Sequence, residues 1–169
     1  MRHWYTIHTK PRQETCAAEH LRRQAFEVYL PCIKQSHRYR GQWREKTESL
    51  FPRYLFIRLD LGLDNIAPIR STYGVSTLVS FCGQPATVPD PFIYALTRSS
   101  DPETGLIYPK KDLFEAGTEV TIMDGPLQGL KAIFKVNDGE QRSIILLELL
   151  GKIQKISIDR DHLVPRNAG

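Results

Sequence analysis

The feature that most constrains this 169-residue chain is a break in composition after Arg98. Ser99-Ser-Asp-Pro-Glu-Thr-Gly105 and then Tyr108-Pro-Lys-Lys-Asp112 are polar, contain proline and glycine, and lack any hydrophobic period. A stretch of that kind offers no face to bury and reads as linker. It divides the chain into a unit over 1–99, a linker over 100–112 and a short unit over 113–169, the last still within the size range of domains that fold alone.

In the first unit, Trp4 to His8 is an aromatic-rich strand. Pro11 suits the opening turn of a helix over Arg12–Ala25, where Ala17, Ala18, Leu21 and Ala25 share one face. Arg12, Glu19 and Arg23 lie opposite, with His20 at the edge. Phe26 to Leu30 returns to strand character. Ile33–Arg40 and Gln42–Ser49 flank Gly41 with charged arms and predict a protruding two-stranded ribbon. Tyr54 to Leu59 is the strongest central-strand signal. Its alternation sets Leu55 and Ile57 on one face and Tyr54, Phe56 and Arg58 on the other, where the rings would form an exposed patch unless a partner covered them. A short helix over Asn65–Ser71, a strand over Val75–Phe81 and a helix over Pro89–Arg98 complete an α+β sandwich.

The second unit holds five short apolar segments: Val120–Met123, Leu130–Val136, Ser143–Leu150, Lys152–Ile158 and His162–Val164. Asp124-Gly125-Pro126, Asn137-Asp138-Gly139 and Gly151 separate them, a spacing that predicts a small five-stranded β-barrel.

Composition narrows the function. Hydrophobic residues make up 41% of the chain and charged residues 25%, as in an ordinary globular protein. No apolar run is long enough to cross a bilayer, and Met1-Arg2-His3-Trp4 carries no export signal core, so the expectation is a cytoplasmic monomer without membrane contact. Cys16, Cys32 and Cys82 are scattered, odd in number and without soft neighbours, which predicts reduced thiols and no metal. No nucleophile triad, phosphate loop or carboxylate pair is visible; Asp60 and Asp64 beside Gly62 read as a turn. A non-enzymatic protein without cofactor is expected. The net charge of +4 is modest, but Lys10, Arg12, Arg22, Arg23, Lys34, Arg38, Arg40, Arg44, Lys46 and Arg53 crowd into one segment as a local basic surface.

Gly117-Thr-Glu-Val-Thr-Ile-Met-Asp-Gly-Pro-Leu-Gln-Gly129-Leu-Lys-Ala resembles the KOW motif, with Gly125 and Gly129 free to take conformations closed to other residues. Trp4-Tyr5, Leu50-Phe-Pro-Arg-Tyr-Leu-Phe56 and Ile69-Arg-Ser-Thr-Tyr-Gly-Val75 resemble, in order and spacing, the N-terminal domain of NusG-family transcription elongation factors. His20-Leu-Arg-Arg-Gln24, Glu48 and Gly139-Glu-Gln-Arg-Ser143, with Ile144 to Leu150, are similar to the specialised RfaH branch of that family.

The resemblance implies an apolar pocket for the clamp helices of RNA polymerase at Phe51, Pro52, Tyr54, Phe56, Ile93 and Leu96. It implies contact of Lys10, His20, Arg23, Gln24, Arg70, Thr72 and Tyr73 with the non-template DNA strand, although on residues alone these fit a solvated helix face and Tyr73 fits a core. His8 stands where an aromatic would extend the pocket and is left out of it; Asn65-Ile66-Ala67 replaces a polar set that touches the opposite polymerase jaw. Glu48 and Arg142 are implied to bridge the two units when the second covers the pocket as a helical hairpin instead of a barrel. Gln141–Ile156 can make such a helix, with Ile145, Leu149, Ile153 and Ile156 in a stripe broken by Gly151. Pro126 would cost about 3 kcal/mol inside a helix, unless Asp124 caps and Pro126 opens a shorter one.

Three readings follow. The chain is an operon-specific antiterminator of RfaH type; or a general NusG-type factor with a constant barrel that contacts termination factor Rho or a ribosomal protein; or a ribosome-associated KOW protein that binds structured RNA. An apolar ring-lined patch argues against the third, because RNA binding does not need one.

Overall fold

The sheet at the centre of the protein works with both faces, and Tyr54–Leu59 (β5) shows why. Leu55, Ile57 and Leu59 enter one apolar cluster, while Tyr54 and Phe56 belong to the other. Successive side chains on a strand point to opposite faces, so this one run feeds two cores. The computed structural model describes residues 1–108 and 129–163.

His3–Thr9 (β1) lies antiparallel to β5, from His3 opposite Leu59 to His8 opposite Tyr54. The other neighbour of β5 is Glu27–Tyr29 (β2), and the far side of β1 pairs with Val75–Leu78 (β6) and Thr87–Val88 (β9). Glu14–Arg23 (α1) covers the first face with Ala17, Ala18 and Leu21, all fully buried; small side chains let the helix lie close to the sheet. Asp90–Arg98 (α2) covers the second face with Phe92, Ile93 and Leu96.

Cys32–Tyr39 (β3) and Gln42–Ser49 (β4) pair along their whole length to form the ribbon. Arg40 and Gly41 at its tip both have positive φ, 50° and 77°. That is the turn geometry whose twist matches two flanking strands. Ser80–Phe81 (β7) and Gln84–Pro85 (β8) form a small separate hairpin.

Several expectations are corrected. The first helix is shorter than Arg12–Ala25, because Arg12 and Ala25 have φ of 62° and 68°, outside helical geometry. The helix over Asn65–Ser71 is one 3-10 turn, Ala67–Ile69. The strand over Val75–Phe81 splits after Leu78, where Val79 N–H turns to the Thr6 carbonyl at 2.9 Å. The linker is not featureless: Leu106–Ile107 (β10) runs parallel to the root of β3, and Ile107 is fully buried there.

Of the two forms expected for the tail, barrel and helical hairpin, its described residues take the helical one. Leu130–Val136 was expected as a strand, but Leu130–Lys135 is a helix (α3). Ser143–Leu150, Lys152–Ile158 and the start of His162–Val164 fall within one 25-residue helix, Gly139–Leu163 (α4). Asp138 opens the longer helix. Its carboxylate accepts the Glu140 N–H at 3.0 Å and its carbonyl accepts the Arg142 N–H at 3.1 Å, so it starts a helix instead of turning a hairpin. Val120–Met123 and most of the KOW-like segment lie outside the described residues.

Two glycines carry opposite consequences. Gly74 has φ of 87°, and a Cβ there would meet backbone atoms of Ala17 and Gln13 at 3.0–3.2 Å. Gly151 sits inside α4 with only Phe81 ring atoms near, at 3.7–3.9 Å, an ordinary contact. Gly74→Ala therefore lowers stability by about 1–3 kcal/mol and depresses the thermal midpoint. Gly151→Ala stabilises the helical tail by about 0.5–1 kcal/mol, read as slower amide exchange along α4.

Candidate functional site

Phe56 is the centre of the second face. Its ring meets Phe51 edge-on at 6.0 Å and Phe92 at 6.1 Å, with Tyr29 at 6.3 Å. Ile93 and Leu96 of α2 close one side. The turn bearing Phe51, Pro52 and Arg53 is held from both ends: Leu50 N–H donates to the Pro31 carbonyl at 2.8 Å, Tyr54 N–H to the Phe51 carbonyl at 3.0 Å, and Arg53 N–H to the Glu14 carboxylate at 2.9 Å. These bonds fix the rings before anything is laid over them.

What lies over them is the tail. Leu130 and Ile133 of α3 and Leu146, Leu149 and Leu150 of α4 join the same cluster as Phe51, Phe56, Ile93 and Leu96. The buried stripe of α4 is Arg142, Ser143, Leu146, Leu149 and Leu150, rotated from the expected one: Ile145 and Ile153 are at its margin. The four apolar residues of the expected pocket named above are thus fully or almost fully buried, while Pro52 and Tyr54 are half-buried.

The cover is seated by polar bonds along its length. A Cβ on Gly139 would come within 2.7 Å of Pro52 Cγ, so α4 starts hard against that ring. Ser143 Oγ donates to the Pro52 carbonyl at 2.9 Å. Further along, Gln154 Nε2 donates to the Thr87 carbonyl at 3.0 Å and lies 3.2 Å from its hydroxyl.

Arg142 is the principal fastening. It has no exposed surface, yet each guanidinium nitrogen finds an acceptor. Nε donates to the Leu50 carbonyl at 2.7 Å. One terminal nitrogen donates to the Val136 and Asn137 carbonyls at 3.3 and 2.9 Å, and the other to Glu48 Oε1 at 3.1 Å. A buried cation is tolerable only when paired and hydrogen-bonded, and here both conditions hold.

His8, left out of the expected pocket, stands beside it, its ring 5.0 Å from that of Tyr54. Burial, reinforced by the Arg53 guanidinium, pushes the imidazole below its ordinary value. The neutral form is therefore favoured, and the ring extends the aromatic surface. Phe81 and Leu147, also unforeseen, line the same edge. Apolarity at Phe81 was the only available signal, and a strand reading placed it without a partner.

Of the second group of expected residues, Lys10, His20, Arg23, Gln24, Thr72 and Tyr73 gather around α1 and the turn before β6, whereas Arg70 lines the edge of the ring-lined face with His8, Tyr54 and Phe81. Lys10, Arg23, Gln24, Arg70 and Tyr73 are exposed and His20 is half-buried. His20 and Tyr73 place their rings 5.7 Å apart, and Tyr73, 67% exposed, is no core residue. Lys10 N–H donates to the Gly74 carbonyl at 2.9 Å, tying the start of the helix to the Tyr73 turn. Thr72 is corrected: it is buried, its hydroxyl donates to the Pro68 carbonyl at 2.9 Å and accepts from Gln24 Nε2 at 2.9 Å. It orients Gln24 and does not itself face solvent.

Among the described residues, no group of three His, Cys, Asp or Glu is placed to hold a metal, and no helix is long and apolar enough to cross a membrane.

A family model described as transcription termination factor NusG matches residues 2–97, more than half of the chain. Transcription termination/antitermination protein NusG of Thermus thermophilus is 26% identical, over 95% of this chain and 97% of its own length. The proteins of the same description from Streptomyces virginiae and Streptomyces coelicolor are 24% and 23% identical over 95% of this chain, which spans 62% of their length. A solved structure described as domain interaction in Thermotoga maritima NusG is similar at 21% identity and a TM-score of 0.45, covering 58% of this chain and 56% of that one. The chain belongs to the NusG family, and its mixed α/β first unit has the fold of that family's N-terminal domain.

The fastening of the tail is open to direct measurement. Glu48→Gln removes the charge opposite a fully buried guanidinium, and the docked tail loses about 1–3 kcal/mol. Amides of α4 then exchange faster while those of β1 and β5 do not change.

Proposed function

We propose that this protein is a transcription elongation and antitermination factor, held closed by its own tail until recruited. In the open form, Phe51, Pro52, Tyr54, Phe56, Ile93 and Leu96 receive the clamp helices of RNA polymerase. The observation that carries this reading is the ring-lined face roofed by α3 and α4, with the Glu48–Arg142 pair at 3.1 Å as the fastening. A face that is apolar, pre-formed and covered by a detachable segment suits a helical partner that replaces the cover. His8 extends the surface beside Tyr54.

The exposed side of α1 meets the non-template DNA strand in this proposal. Lys10, Arg23 and Arg70 neutralise phosphates, while His20 and Tyr73 offer rings to unpaired bases and Gln24 a hydrogen-bonding amide. Thr72 serves by holding Gln24. Such contacts, with a face that opens only on recruitment, favour an operon-specific role of RfaH type. Helices at Leu130–Lys135 and Gly139–Leu163 favour this over a factor whose barrel is constant. On release, the tail rebuilds as a five-stranded KOW barrel, free to reach a ribosomal protein or Rho.

Capture by purified RNA polymerase tests the face. Glu48→Ala, which loosens the cover, increases the amount retained over the parent. Adding Tyr54→Glu abolishes retention, and equal recovery of the single and double variants refutes the pocket. On a paused elongation complex, Arg23→Ala weakens binding and reduces the slope of log affinity against log salt by about 0.7 if one single-strand phosphate contact is lost. An unaltered slope removes Arg23 from the DNA surface.

A further inference from the structure

The β3–β4 ribbon plays no part in the roofed face beyond its root at Ile33 and Glu48, yet its outer half is rich in recognition chemistry. Each arm is 8 residues long, so the ribbon extends about 25 Å. Between His37 and Lys46 it carries Arg38, Arg40, Arg44 and Lys46 against a single acid, Glu45. Glu45 is already engaged, its carboxylate 2.9 Å from Lys34 Nζ. Among the described residues, the other four cations have no carboxylate at ion-pair distance.

Register distributes these groups. Arg38 faces Trp43 across the ribbon and His37 faces Arg44. Directly opposed residues share a face, so Trp43 and Arg38 stand together on one side, while Tyr39, His37 and Arg44 occupy the other. The Tyr39 ring is already used: Arg40 and Arg44 place their guanidinium carbons 5.3 and 5.4 Å from its centroid. That stacking fixes two long side chains in advance of any ligand. Trp43 is different. It is 72% exposed, and no aromatic stands opposite it. Folding gains little from an indole held in water, and a strand position there is met as well by Thr or Val.

A flat apolar ring with Arg38 beside it, and Arg40, Arg44 and Lys46 at the tip and on the reverse face, matches a ligand that alternates flat bases with anionic phosphates. An apolar protein surface would leave the four cations unpaired. A closed duplex would hide the base faces that the indole could use. We propose that the ribbon tip is a second nucleic-acid contact, in which Trp43 stacks on an unpaired base of a single strand, Arg38 on the same face holds the adjoining phosphate, and Arg40, Arg44 and Lys46 at the tip and on the other face attract the strand's further phosphates. The surface lies on different elements from the α1 face and acts independently of it. RNA and DNA share the required chemistry, and either sugar satisfies the site.

The test uses the full chain carrying Lys10→Ala and Arg23→Ala, which silences the α1 face so that failure there and failure at the ribbon are distinguishable. Labelled oligo(U) and oligo(dT) of about 12 nucleotides are titrated by anisotropy, with intrinsic tryptophan emission followed in parallel. Binding with quenched emission is expected. Trp43→Ala weakens it about 5- to 150-fold, the range for one base stacked on an aromatic ring, while Trp43→Phe retains most of it. Arg38→Ala lowers the salt slope by about 0.7. Both positions are exposed, so unchanged thermal midpoints exclude unfolding as the cause. The stronger of the two arms identifies the natural sugar. Equal affinity of Trp43→Ala and its parent, or tighter binding of a duplex of the same sequence, overturns the proposal.

Discussion

A guanidinium buried to zero exposure must have its donors met, and the docked tail meets that demand for Arg142. Its acceptors come from three places: the Leu50 carbonyl before the Phe51 turn, the Val136 and Asn137 carbonyls between α3 and α4, and Glu48 near the end of β4. All three must be in register before the cation can leave water. The tail is therefore placed by a polar coincidence, while apolar contacts of Leu146, Leu149 and Leu150 supply the bulk of the attraction. Buried ion pairs contribute more to uniqueness than to stability in some proteins, and this one specifies where a helix docks.

The two faces of the sheet are closed in unlike ways. On the first, Ala17, Ala18 and Gly74 allow close backbone approach, and the short loops joining α1 to its strands leave it no freedom to depart. On the second, α2 covers part of the rings and a segment distant in sequence covers the rest. A cover supplied from so far along the chain can detach without unravelling the sheet beneath, because the bonds that hold the Phe51 turn run to Pro31 and Glu14, not to the tail. That separation is what the proposed exchange of tail for polymerase requires.

Much of the first unit was legible because single residues there have one reading. Alternation through Tyr54–Leu59 separated Leu55 and Ile57, read as core, from the rings of Tyr54 and Phe56, read as a face awaiting a cover, and Gly41 between charged arms marked the ribbon. The tail resisted because its signals have two. Asn137-Asp138-Gly139 is hairpin chemistry and also a helix start; Ile144 to Leu150 suits a buried strand as well as a helix. Tertiary contact with Pro52 and Glu48 decides between them, and no local pattern contains it. The residue resemblance anticipated the pairing of Glu48 with Arg142, but not the three carbonyls that share the cation. Thr72 was misplaced for a related reason: a hydroxyl beside exposed Arg70 and Tyr73 gives no sign in sequence that it is already bonded on both sides.

Backbone chemical shifts of the intact protein and of the isolated 113–169 fragment test the central claim, that a helical tail roofs the ring-lined face. The account predicts helical shifts through Gly139–Leu163 in the intact chain, with contacts from the Leu146 and Leu149 methyls to the rings of the first unit, and strand-type shifts in the fragment. Strand-type shifts in both, with no methyl-to-ring contacts, would contradict it.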